Sequence, residues 1–242
     1  MSSLSANWKL SHGHFNKLAA SLRAKVVAGA GLLLAAALLA PSTAAAQTTA
    51  PAKAAATQDT VLVVGDSLSA EYGLRRGTGW VPLLEKKLAD EKKQVRLVNA
   101  SISGDTTSGG RSRLAGLLAQ HKPTVVVIEL GGNDALRGLP LDMTEKNLLA
   151  MTQASKKAGA KVLLLGMQVP PNYGGTYGTT FFGLYPKIAK AEKVALVPFF
   201  LKGIADVDDA ESRFQADRIH PNQQSQPRML ANVWPELEKL LR

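Results

Sequence analysis

One serine, one histidine and one aspartate have the types and spacing to do chemistry together. Ser67 lies in Gly65-Asp66-Ser67-Leu68-Ser69. A free hydroxyl is a weak nucleophile and needs a base beside it. The chain has four histidines. His12 and His14 fall in an N-terminal stretch that reads as a leader, and His121 belongs near a helix end, far from the other polar segments. His220, in Asp217-Arg218-Ile219-His220-Pro221, remains as the candidate base. Pro221 biases the residue before it away from helical dihedrals, so His220 belongs to a loop. On a loop, Asp217 can curl back to accept the imidazole N–H, fixing its tautomer and stabilising the imidazolium formed during attack.

Acyl transfer also needs donors aimed at the developing oxyanion. Three are available: the backbone N–H of Ser67, the backbone of Gly104 in Ser101-Ile102-Ser103-Gly104-Asp105, and the amide of Asn133 in Gly131-Gly132-Asn133-Asp134. Gly104 has no Cβ, so its backbone can approach a substrate closely. Asp66, Asp105 and Asp134 read as turn-stabilising residues. Each segment alone is an ordinary turn sequence. Their joint appearance, in order, is what points to a serine hydrolase.

These segments need elements to position them. Thr60–Gly65, Val95–Ala100, Thr124–Leu130, Lys161–Met167 and Val194–Pro198 read as strands. Runs such as Val125-Val126-Val127-Ile128 fit strands buried on both faces. Amphipathic stretches near Trp80–Lys92, Ser108–His121, Asp142–Ala158 and Leu184–Lys193 alternate with them. Asp142 with Glu145 forms a candidate capping box, and Gly159 a natural stop. A last helix is expected from Asn222 towards Leu241, with Pro227 near its first turn and a kink or break at Pro235. Strand–helix alternation predicts right-handed βαβ units and a parallel sheet covered by helices. Ligands then sit beyond the carboxyl ends of the strands, where all four polar segments fall.

Residues 1–46 read as a secretory signal. Lys9, Lys17, Arg23 and Lys25 make a basic start, Val26–Ala40 is apolar, and Ala44-Ala45-Ala46 offers a cleavage site. The apolar run is shorter than the roughly 20 residues that span a bilayer. Residues 47–59, mostly Ala, Thr, Gln and Lys, read as a disordered tail, and residues 60–242 as one domain. The net charge is +10, four of those charges lying in the leader. The remainder is modest and unclustered, which argues against a nucleic-acid partner and leaves peripheral contact with membrane lipids as a weaker expectation. Cysteine is absent. That excludes a thiol nucleophile, a thiolate metal site and disulfides, so the core alone must hold an exported fold.

At these residues the sequence resembles the SGNH (GDSL) hydrolase superfamily. Ser67, Gly104, Asn133 and His220 match its name-giving positions, and Asp217 matches the acid of its Asp-x-x-His block. Val63–Ala70, Leu130–Asp134, Tyr185-Pro186-Lys187, Pro198-Phe199-Phe200 and Ile219–Asn222 are similar to the bacterial periplasmic esterases of the thioesterase I/protease I/lysophospholipase (arylesterase) type. The position two after the nucleophile is Ser69 rather than the glycine of the ordinary α/β-hydrolase elbow. The resemblance implies a flavodoxin-like three-layer α/β/α sandwich with a five-stranded parallel sheet. It also implies hydrolysis of carboxylic esters and thioesters of fatty acyl groups without metal or organic cofactor.

Two apolar loops bear on the substrate. Ala135–Pro140 contributes Leu136 and Leu139; Gln168–Phe182 contributes Pro170 and Tyr173. Apolar loops around a polar trio suit an acyl chain or aryl group, although the aromatics of the second loop could instead close the core. The resemblance implies that both line the acyl groove. The expected partner is therefore a small-molecule acyl or aryl ester, met by a periplasmic or secreted monomer. Two other readings stay open: an O-acetyl esterase of carbohydrate or cell wall, and a non-catalytic lipid-binding module. A phosphate-binding flavodoxin-like protein is disfavoured, since the mature chain has neither a Gly-x-Gly-x-x-Gly nor a Walker pattern.

Overall fold

A computed structural model describes residues 58–170 and 174–242. Its five strands are β1 (Asp59–Gly65), β2 (Val95–Asn99), β3 (Val125–Glu129), β4 (Lys161–Leu165) and β5 (Ala195–Val197). They form one parallel sheet in the order β2-β1-β3-β4-β5. Val61–Val64 and Val125–Ile128 are fully buried, as their unbroken apolar runs require of central strands covered on both faces. The helices are α1 (Trp80–Asp90), α2 (Thr107–His121), α3 (Gly132–Leu136), α4 (Leu141–Lys157), α5 (Gly175–Glu192) and α6 (Gln226–Glu238). α1 packs on α6, and α4 packs on both α2 and α5, giving the α/β/α sandwich that the family resemblance implies.

The order places a topological switch between β1 and β3. From β1 the chain crosses to one side, and from β2 it crosses back to the other. The carboxyl ends of these two strands therefore diverge around a crevice.

Several boundaries differ from expectation. Asp59 belongs to β1, not to a tail: it is buried, with Oδ1 accepting from Thr124 and Oδ2 from the Arg242 N–H. The expected leader and residues 47–57 of the expected tail lie outside the described residues. α4 is capped by Pro140 without a side-chain bond, so there is no capping box. Asp142 sits in its first turn and pairs with Lys146, while Glu145 pairs with Lys187. α5 starts at Gly175, absorbing the second half of the expected loop. Its buried residues Phe181, Leu184, Tyr185, Ile188 and Ala189 follow the helical period, and Pro186 lies within it. α6 follows a short 3-10 turn at Gln223–Ser225, and Pro235 does not break it. No helix among the described residues is long and apolar enough to cross a membrane.

Candidate active site

β1 ends at Gly65 and the chain winds at once into a tight turn. The N–H groups of Ser69 and Ala70 donate to the Asp66 carbonyl, and that of Tyr72 to the Ser67 carbonyl. Asp66 Oδ1 accepts the Leu68 N–H at 3.0 Å, so the aspartate caps the turn that presents Ser67.

The base arrives from a loop whose neck is closed by an antiparallel bridge between Phe214 and Pro221. Arg218 has φ 58°, in the left-handed region, which tightens the segment Asp217–His220. Asp217 Oδ1 accepts the N–H of Ile219 at 2.9 Å and of His220 at 3.0 Å. Its Oδ2 stands 2.6 Å from His220 Nδ1, and His220 Nε2 stands 2.9 Å from Ser67 Oγ. The three-residue spacing lets one carboxylate both cap the backbone and hold the ring. With Nδ1 donating to Asp217, Nε2 is left to accept the Ser67 hydroxyl proton. Burial works to raise the Asp217 carboxyl, but the two backbone N–H groups and the imidazole outweigh it and hold the group down at about 2.

Of the three expected oxyanion donors, Ser67 and Asn133 line the same cavity as His220, and Gly104 lies outside its walls. Asn133 lies in α3, a short helix where the sequence suggested a turn. One of its amide hydrogens goes to Asp66 Oδ2 at 2.9 Å. Gly104 has φ 79°. A Cβ there would come no closer than 3.7 Å to another residue, so the backbone conformation, not crowding, calls for glycine. Arg137 donates to the Gly104 carbonyl at 2.9 Å and holds this loop against α3.

Two buried carboxyls underlie the nucleophile turn. Glu129, at the end of β3, accepts the Asp66 N–H at 3.2 Å and the Ser69 hydroxyl at 2.7 Å through Oε2. The Trp80 indole in turn donates to Ser69 Oγ. Burial, then the charge of neighbouring Asp66, push Glu129 well above the usual carboxylate range. Burial likewise pushes Asp66 up to about 6, against the pull of the Leu68 N–H, Asn133 and His220. Asp134 does more than stabilise a turn. It accepts from the backbone and hydroxyl of Thr107, tying α3 to the start of α2.

Ser67, Asn133 and His220 open into a cavity of about 590 Å³. Leu136 and Pro170 are among its walls. Leu139 lies outside its walls, with its carbonyl accepting the Tyr177 hydroxyl. Tyr173 lies outside the described residues. Phe181 is fully buried in the core, so that aromatic does not face substrate. Much of the apolar wall comes instead from Phe199, Leu201, Ala205, Phe214 and Ile219. The sequence held a signal for them: residues after β5 also follow a strand end.

Residues 63–226 match the GDSL-like Lipase/Acylhydrolase family. The chain belongs to this family. By that membership this GDSL hydrolase acts on ester bonds. It is 55% identical to esterase TesA of Pseudomonas aeruginosa over 186 residues, spanning 77% of this chain and 91% of that protein. It is 41% identical to an arylesterase of Vibrio mimicus over 188 residues, 78% of this chain and 92% of the relative. It is 44% identical to thioesterase 1/protease 1/lysophospholipase L1 of Escherichia coli over 173 residues, 72% and 80% of the two chains. The crystal structure of TesA superposes with a TM-score of 0.72 at 56% identity, covering 76% of this GDSL hydrolase and 100% of TesA. That of the psychrotrophic esterase EstA from Pseudoalteromonas sp., inhibited by monoethylphosphonate, gives 0.70 at 40% identity, covering 75% and 98%.

Proposed function

We propose that the chain is an exported serine esterase that hydrolyses carboxylic esters and thioesters of acyl or aryl groups through Ser67, His220 and Asp217. The observation that carries this is one line of contacts. Asp217 holds His220 at 2.6 Å, His220 meets Ser67 at 2.9 Å, and Ser67 opens into a largely apolar cavity. His220 takes the hydroxyl proton as Ser67 attacks the acyl carbon, and the imidazolium that forms faces Asp217. The N–H groups of Ser67 and Gly104 and the Asn133 amide receive the oxyanion. His220 then hands the proton to the leaving alcohol or thiol, and water clears the acyl-enzyme by the same steps. His220 moves one proton from Ser67 to the leaving group and then one from water back to Ser67, and the chain's own N–H groups hold the oxyanion, so the reading needs no cofactor, and a chelator should leave turnover unchanged.

The acyl or aryl group would lie against Leu136, Pro170, Phe199 and Phe214. A cavity of about 590 Å³ is far larger than an acetyl group, which favours longer acyl chains over an acetyl esterase. The basic, apolar and small-residue succession over residues 1–46 supports export to the periplasm or beyond. Exposed Tyr72, against the His220 ring, and exposed Ile219, in the cavity wall, support peripheral contact with lipid.

The test is hydrolysis of p-nitrophenyl esters of graded acyl length, run beside Ser67→Ala. We expect turnover on chains beyond acetyl and a fall in kcat of several orders of magnitude in the variant. Turnover confined to acetyl would favour the deacetylase. Unchanged turnover in Ser67→Ala would remove the nucleophile from the scheme, and no turnover in the parent would leave a binding module.

A further inference from the structure

Ser67 and His220 lie 153 positions apart in sequence, and something must set the gap between their segments. We propose that Gln215, acting with Tyr72, is the positioning device that fixes the imidazole over the nucleophile; this rests on the triad reading above. Gln215 touches both segments at once. Its backbone N–H donates to the His220 carbonyl at 2.8 Å, and its carbonyl accepts the Arg218 N–H at 2.9 Å. Its side-chain amide donates to the Pro221 carbonyl at 3.3 Å on its own loop. The same nitrogen donates to the Tyr72 carbonyl at 2.9 Å on the nucleophile turn.

Tyr72 completes a closed circuit. Its N–H donates to the Ser67 carbonyl at 3.3 Å. Its ring lies 4.4 Å from the His220 ring, tilted by 39°. The tyrosine is 51% exposed, so burial in the core does not account for this placement. A π face at that range cushions the neutral ring and attracts the imidazolium once it forms. Gly73 follows with φ 68°, and a Cβ there would collide with the Gln215 amide. The neighbour of Tyr72 is thus shaped to admit the glutamine.

The residue type also fits. A lysine or arginine would set a positive charge beside the imidazolium, and a glutamate would lose the donors. Only a neutral amide of this length ties two carbonyls without disturbing the charge of the pair. A misplacement of about 1 Å at a reacting pair costs up to about 100-fold in rate.

The test uses Gln215→Met, which keeps length and loses the donors, with Tyr72→Ala, Tyr72→Phe and the double variant Gln215→Met/Tyr72→Ala. Each is measured for kcat and KM on p-nitrophenyl butyrate, for the rate of inactivation by a phosphonate ester, and for its melting temperature. We expect Gln215→Met to lower kcat and phosphonate inactivation together by about 10- to 100-fold, with KM within about 3-fold. Tyr72→Phe should keep activity that Tyr72→Ala loses, and the double variant should lose less than the product of the singles. A Gln215→Met protein within about two-fold of wild type in kcat, a loss confined to KM, or simple multiplicativity overturns the role. Should Gln215→Met not fold, the contrast between Tyr72→Phe and Tyr72→Ala decides, because that side chain is exposed. Full activity in Ser67→Ala would instead sink the triad, so the two failures are distinct.

Discussion

Asp66 and Glu129 bring two buried carboxyls to one turn, and burial keeps protons on them that water would remove. Between the ordinary aspartate range near 4 and about 6, the folded protein holds a proton on Asp66 that the unfolded chain has released. Stability from this group therefore falls as pH rises through that window and levels off above it. Asp66→Asn should gain stability over wild type as pH climbs from about 4 to 7, by up to about 3 kcal/mol; urea unfolding along that range would show a constant difference if the idea is wrong. Glu129→Gln preserves the neutral form and both accepted bonds, so it should unfold within about 1 kcal/mol of wild type. Glu129→Ala strands the Asp66 N–H and leaves a void, at about 3 kcal/mol. Equal losses in the two variants would mean that Glu129 is ionised. Asp217 has the opposite sign. Held down at about 2, it contributes stability above the ordinary aspartate range that disappears as pH falls towards 2. Its carboxylate therefore stays charged wherever the enzyme is assayed, and Asp217→Asn should lower kcat by about 10⁴; a loss under tenfold would deny it the orienting role. These residues were legible because Asp217 and His220 are local to each other. Gln215 was not, since its meaning depends on a partner 143 positions away.

At the level of elements, legibility followed how completely one force decides each segment. β1 and β3 announce themselves because full burial demands unbroken apolar runs. β5 is three residues long and falls inside the expected Val194–Pro198, but the cavity wall that follows it carries no periodic pattern of its own. The start of α5 was hidden by glycines at 175, 178 and 183, although Phe181, Leu184 and Ile188 already carry the period. Asp142 looked like a cap because the spacing to Glu145 is right; Lys146 and Lys187 take these carboxylates instead. In α6, a kink or break is expected at Pro235, but the helix runs on through it, with Val233 and Leu237 buried on either side. A proline inside a helix leaves one carbonyl without its intrahelical donor. Pro235→Ala should therefore raise the unfolding free energy by about 1–3 kcal/mol in urea titrations; an unchanged midpoint would show that the helix has already relaxed around it.

The molecule as a whole has no cysteine to cross-link it, and its stability must come from the sheet and its two helical layers. The proposed export predicts a mature N-terminus near Gln47, which N-terminal sequencing of the protein recovered outside the cytoplasm would find; recovery of the intact 242-residue chain in the membrane fraction would contradict it. Rigidity is unevenly shared among the parts that meet at Ser67. Ser67 follows two residues after β1, and Asn133 sits in the short helix α3 just beyond β3, the two strands buried along their whole length. The imidazole hangs from a loop closed by the Phe214–Pro221 bridge and tethered by an amide to an exposed turn. Warming should loosen that tether first. The enzyme would then fall silent at temperatures where its sheet is still whole, and recover on cooling.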